Sequence, residues 1–242
     1  IQEPADAETV TQVDTRSYGA GVRNGDMTPA NRAGLIRVAS FTLAYLLIAT
    51  VGALASGNSE FVFYIVVMVV LAALVGVVHF HIGLPESALW ALSIWGLAHM
   101  AGGLITVPAD WPTHGPNQVL YSLWLIPDRL KYDQVVHAYG FGVTTWICWL
   151  GLQATLSGAG IDPAPTAGRL VLAWAAGQGF GALNEVIEFA ATLMVPNTNV
   201  GGYLNTGWDL VSNLVGATLA VLIIWFSYRR SRPALETGAR AS

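Results

Sequence analysis

Six stretches of this chain, at about 34–55, 61–82, 87–107, 134–156, 168–192 and 208–228, are continuously apolar and almost free of charge. Each is near the ~20 residues that a helix needs to cross ~30 Å of hydrocarbon. In lipid every backbone N–H and C=O must be satisfied inside the protein, which leaves helices and closed barrels as the spanning structures. Barrel strands are shorter and alternate in polarity. These runs do neither, so the expected fold class is all-α: a polytopic six-transmembrane-helix bundle. Composition agrees, because 54% of the 242 residues are hydrophobic and 11% charged, whereas a soluble domain carries about 25% charged residues.

The runs divide the chain. Residues 1–31 are polar, with Glu3, Asp6, Glu8, Asp14 and Asp26 and no apolar periodicity, and are expected to be a disordered cytoplasmic tail. Residues 32–230 form the transmembrane domain, and 231–242 a second cytoplasmic tail. The net charge of −4 resides largely in the first tail, so nucleic acid is not an expected partner. The single Cys148 cannot form an internal disulfide and says nothing about redox compartment. No basic segment with a short apolar core opens the chain, so no signal peptide is expected.

Basic residues set the orientation. Arg16, Arg23, Arg32 and Arg37 precede or open the first run, Arg169 opens the fifth, and Arg229, Arg230, Arg232 and Arg240 follow the sixth. Six crossings place all of these on one side and only Arg129 and Lys131 on the other. The positive-inside rule then puts both termini in the cytoplasm. Trp111, Trp124 and Trp208 are expected in an outer interfacial belt, and Trp90, Trp149 and Trp225 in an inner one.

That topology assigns a depth to each intramembrane polar residue. His99 lies about two turns below the outer surface on the third helix, and Asp133 and His137 in the first turns of the fourth. Glu185 and Glu188 occupy the outer third of the fifth, and Asp209 and Asn213 the mouth of the sixth. Four helices thus deliver seven polar side chains to one outer layer. His79 and His81 fall at the opposite end. A first-turn carboxylate is also favoured by the helix dipole, which offers a simple alternative for Asp133 and Asp209. Glu185 and Glu188 have no such alternative, because they lie toward a helix C-terminus, where the dipole disfavours negative charge.

Spacing adds chemistry. Asp133 and His137 are four apart, Glu185 and Glu188 three apart, and Asp209 and Asn213 four apart; each pair shares a helix face. Carboxylates and imidazoles projecting inward from facing helices are how bundles build metal sites. Adjacent carboxylates repel unless protonated or bound to a cation. The candidate ligands are Asp133, His137, Glu185, Glu188 and Asp209, with His99 and Asn213 at the margin. A set of oxygens with one imidazole suits zinc, manganese or iron, and the sequence does not choose among them.

Tyr132-Asp133-Gln134-Val135-Val136-His137, Asn184-Glu185-Val186-Ile187-Glu188 and Trp208-Asp209-Leu210-Val211-Ser212-Asn213-Leu214-Val215-Gly216 together resemble the VanZ-like proteins. They are similar in particular to the YjdF-like group of uncharacterised bacterial inner-membrane proteins. The resemblance spans about 125–220. Gln134 and Glu188 depart from the VanZ-like pattern, which usually has Lys and Gln there; the second Glu and two extra N-terminal helices match the YjdF-like side. The resemblance implies a multi-pass protein of the bacterial cytoplasmic (inner) membrane. VanZ-like members are linked to glycopeptide resistance, and no settled reaction comes with the family.

Two functions stay open. One is an enzyme acting on lipid-linked or envelope substrates, with Glu185 or Glu188 as general base and His137 as ligand or acid. The other is a non-enzymatic membrane subunit whose cluster binds a lipid headgroup, an ion or a partner protein. Membrane lipids are partners in both. A transporter fits less well, since its site is usually near the midplane within repeated halves and no repeat relates 34–107 to 134–228.

Overall fold

The computed structural model describes residues 29–115, 117–196 and 198–238. The polar tail expected over 1–31 lies outside these except for its last three residues, which are already helical. Six helices follow: α1 (Pro29–Ser56), α2 (Ser59–Ile82), α3 (Glu86–Leu104), α4 (Tyr132–Gly158), α5 (Ala167–Met194) and α6 (Tyr203–Gly238). Each apolar run is one helix. Five are long and apolar enough to cross a membrane; α3 is the exception. It is the shortest, at 19 residues, and Glu86, Trp90, Trp95 and His99 dilute its apolar content. The last helix continues through the segment read as a tail, as far as Gly238.

Helix α4 is the hub and packs against α3, α5 and α6, with α1 joining through α3 and α2 packing mainly on α1. The α4–α6 contact brings backbone onto backbone. A Cβ on Gly142 would stand 3.1 Å from the Gly216 carbonyl oxygen, and one on Gly216 would collide with the Ala138 carbonyl. Small residues at such crossings let membrane helices approach. Gly179, by contrast, faces open space.

Burial is confined to the seams. Tyr45, Leu46, Ala53, Phe61, Tyr64 and Met100 fill the contact between α1, α2 and α3, and Trp149, Leu170 and Ala173 the contact between α4 and α5. Trp149 is therefore a core residue and not the interfacial anchor its position suggested. Outward faces carry large apolar side chains such as Ile48, Val51, Val66, Leu172 and Phe189, a distribution that suits hydrocarbon and not water. Arg229 stacks over the Trp225 ring at 4.4 Å.

The connection between α3 and α4 has its own structure. Its two arms pair through Val107 N–H to Gln118 O (3.0 Å) and Leu120 N–H to Ile105 O (3.1 Å). A 3-10 turn (Leu120–Ser122) leads into β1 (Trp124–Ile126), which pairs antiparallel with β2 (Leu130–Lys131). Asp128, with φ 57°, turns the ribbon in the left-handed region that Asp tolerates better than most residues. This fold holds Tyr121 and Lys131 over the end of the bundle where α2, α4 and α6 begin.

Candidate metal centre

Helix direction brings the polar residues to that end. Asp133 and His137 stand in the first two turns of α4, while Glu185 and Glu188 stand in the last turns of α5, which runs the other way. Helix α6 starts at Tyr203, earlier than the apolar run implied, so Asp209 lies nearly two turns inside it. Its first turn holds no acid, and the dipole explanation fails for Asp209.

The centre is the His137 ring, whose side chain is 4% exposed. Nδ1 is 3.1 Å from Asn213 Oδ1 and 3.7 Å from Glu185 Oε1. Nε2 is 3.6 Å from Asp133 Oδ1 and 3.8 Å from Glu188 Oε1. Both glutamates point inward, with side chains 9% and 13% exposed. If Nδ1–H donates to the Asn213 amide oxygen, the Nε2 lone pair faces two carboxylates, and three acceptors converge with no proton between them. A cation or a shared proton satisfies that arrangement.

Two groups of three have ligand atoms within 4.8 Å of one another: Asp133, His137 and Asp209, and His137, Glu185 and Glu188. All five ligands expected from the sequence are therefore at one site. Several of their oxygens have no hydrogen-bond partner among the described residues: both of Glu185, and Oδ1 of Asp209. A buried polar atom left so costs about 1–3 kcal/mol, more when charged.

The margin residues separate. Asn213 is in the centre: it is fully buried, contacts His137, and its Nδ2 has no partner among the described residues. It fits only because Gly181 of α5 leaves room, since a Cβ there would stand 2.9 Å from Asn213 Nδ2. His99 stays at the edge, where its Nδ1 is hydrogen-bonded to the Tyr121 hydroxyl at 2.5 Å and its ring meets Tyr64 edge-on. Burial, and then the Asp133 charge, push the Tyr121 phenol well above its ordinary pKa, so it remains a donor. His79 and His81 are at the far end, as expected; His81 Nδ1 bonds the Val77 carbonyl oxygen (2.8 Å).

Other members were not foreseen. Lys131, 8% exposed in its side chain, lies 3.5 Å from Asp133 Oδ2 and donates to Asn205 Oδ1. Asn205 Nδ2 donates to Asp209 Oδ2 (2.6 Å) and Asp133 Oδ2 (3.4 Å). Asn184 Nδ2 holds Glu188 Oε1 (2.8 Å). Glu60, at the start of α2, is buried and accepts from the Asn199 N–H (2.8 Å). The signal for Asn205 was present, since Asn205, Asp209 and Asn213 repeat every four residues along one face.

Beside the centre is a cleft of about 340 Å³. Glu60, Tyr64, His99, Tyr121, Lys131 and Asn205 line it, and Asp133 and Glu188 reach into it from the cluster. Two connections meet at its rim, where the Asn117 amide donates to Asn199 Oδ1.

Helices that expose apolar faces and close around a buried Asp/His/Glu cluster define a multi-pass membrane protein. The chain belongs to the family described as predicted membrane protein (DUF2238), which matches residues 37–230. No curated protein and no solved structure matches it.

Proposed function

We propose that this protein spans the bacterial cytoplasmic membrane six times with both termini inside. Its outer-leaflet centre of Asp133, His137, Glu185, Glu188 and Asp209 holds divalent metal and acts on a lipid-linked or envelope substrate as a hydrolase or transferase. The observation that carries the metal reading is Glu185: a carboxylate nine-tenths buried, 3.7 Å from an imidazole, with both oxygens unpartnered among the described residues. Zinc, manganese and iron suit the donor set equally.

The sixth span is α3. Nineteen residues at 1.5 Å each give about 28 Å, close to the hydrocarbon thickness. Orientation is supported by Arg32, Arg37, Arg169, Arg229 and Arg230 at one end, against Arg129 and a buried Lys131 at the other. The order of the three motifs supports kinship with the VanZ-like and YjdF-like proteins within the family.

A bound divalent cation would lower the pKa of its water and polarise a substrate oxygen. The chain's own groups do the rest. Glu188 reaches the cleft and is held by Asn184, which suits it to take a proton from a nucleophile there, while Glu185 does not line the cleft. Lys131 and Asn205 orient the Asp133 and Asp209 carboxylates. Tyr121 and His99 offer hydrogen bonds to a ligand in the cleft.

A second reading has support in the amides. Asn184, Asn205 and Asn213 and the ammonium of Lys131 satisfy part of the cluster, as a purely structural polar network would. Metal analysis of purified protein separates the two. The metal reading expects bound zinc, manganese or iron in the native protein and a sharp loss of occupancy in Glu185→Gln. The pair Glu185→Gln with Glu188→Gln should add little, because ligands of one ion act as a unit. Metal-free native protein that keeps its stability in Glu185→Gln establishes the structural network instead.

A further inference from the structure

We infer that the cleft beside the centre binds a primary ammonium group, of the kind an ethanolamine lipid headgroup carries. This rests on the lipid-linked or envelope reading above and names the chemistry of that substrate; it does not depend on the metal. Glu60 is the first observation. It stands in the first turn of α2 and is 4% exposed. The helix dipole favours a carboxylate there, but Glu60 does not cap its own helix. Asn58 does that, accepting from the Phe61 N–H. Glu60 instead reaches across the cleft wall, where Oε2 accepts from the Asn199 N–H (2.8 Å). No ion pair among the described residues includes it. A carboxylate withdrawn from water without a cation is costly.

Tyr64 is the second, independent observation. It lies one turn further along the same face of α2 and is 6% exposed. Its ring meets His99 edge-on, and its hydroxyl bonds no described residue, although a buried tyrosine hydroxyl usually finds a partner. Glu60 and Tyr64 both line the cleft, and Glu188 lines it from α5. Asn184 holds Glu188 Oε1 (2.8 Å) and no described donor reaches Oε2.

The donors in the same wall are already engaged. Lys131 lies 3.5 Å from Asp133 Oδ2 and donates to Asn205 Oδ1. Asn205 directs its amide hydrogens to Asp209 and Asp133, and the Asn117 amide donates to Asn199 Oδ1. What the wall still offers is acceptors, two of them carboxylates. An ammonium supplies three N–H donors and one positive charge, and tyrosine rings attract a cation further. A lone anion would meet Glu60 and Glu188 and be repelled. A quaternary ammonium brings charge without N–H groups and leaves the acceptors unmet. The cleft also lies where α2, α4 and α6 begin, which is headgroup depth and not the midplane.

The test is isothermal titration calorimetry of the full chain in detergent with short-chain phosphatidylethanolamine. Phosphatidylcholine and phosphatidylglycerol of the same chain length, and free ethanolamine, are the other arms. Phosphatidylethanolamine should bind saturably and at least about tenfold tighter than the other two lipids. Glu60→Gln keeps an acceptor for Asn199 and removes the charge; it should weaken binding about tenfold, with elution and metal content as in the native protein. Tyr64→Phe should show a smaller loss. Free ethanolamine that binds as tightly as the lipid keeps the ammonium site and overturns the lipid as its source. Equal affinity for the three lipids, or native affinity in Glu60→Gln, overturns the site and leaves the metal reading standing. Metal lost together with binding in Glu60→Gln overturns the separation of this site from the centre. Should Glu60→Gln fail to fold, the native preference among the lipids and Tyr64→Phe decide.

Discussion

Asn205 touches three charged side chains at once. It donates to Asp209 and Asp133 and accepts from Lys131. Interhelical hydrogen bonds in membranes average well under 2 kcal/mol each, so the expected effect of Asn205→Ala comes mainly from the charges it strands. We predict a loss of about 1–3 kcal/mol, seen as a lower Tm in detergent, and an unchanged Tm would show that water replaces the amide. Glu185 should behave differently. Glu185→Gln keeps shape and removes charge, so it should lower metal occupancy without a large loss in the metal-free Tm. Glu185→Leu removes a carboxylate that has no hydrogen-bond partner among the described residues, so without metal it should melt no lower than Glu185→Gln. A metal-free Tm lower by the cost of an unsatisfied group, about 1–3 kcal/mol, would show that polar neighbours depend on the Glu185 carboxylate.

Elements were the most legible scale in the sequence. Continuous apolar runs permit little besides spanning helices, and all six runs are helices. Opposite helix directions were enough to bring Asp133, His137, Glu185, Glu188 and Asp209 together. What was not legible has physical reasons. The start of α6 at Tyr203 is hidden because Asn205, Thr206 and Gly207 dilute the apolar signal, so the sequence places Asp209 at the mouth of the helix. Lys131 enters the sequence reading only as an outer-side charge, because nothing local records that the β1–β2 ribbon folds it inward. Glu60 stands one residue before its apolar run, where the pattern carries no signal of a buried site. Trp149 looked interfacial by position, and only the tertiary contact with α5 buries it. The α4–α6 contact yields a test at this scale. Gly216→Leu drives a side chain into the Ala138 backbone, and overpacking of this kind costs about 1–3 kcal/mol or more. Gly179→Leu enters open space and should leave the elution profile in detergent unchanged. Similar behaviour of the two variants would mean that the two backbones do not meet at Gly216.

At the scale of the whole molecule the account needs the centre to face outward. With Cys148 replaced, single cysteines at Gln118 and Thr198 should react with an impermeant maleimide in intact cells. Reaction only after the cytoplasm is opened would reverse the topology and move the centre to the inner leaflet. Removing residues 1–28 should leave the Tm in detergent within a few degrees, and a large drop would show that the tail docks on the bundle. The central claim is that His137 and its carboxylates hold metal, and X-ray absorption of zinc-loaded, tag-free protein tests it most directly. The account predicts a shell of oxygen and nitrogen at about 2.0–2.2 Å with no sulfur. It also predicts imidazole scattering that disappears in His137→Ala. A spectrum without imidazole in the native protein, or one unchanged by His137→Ala, would contradict it.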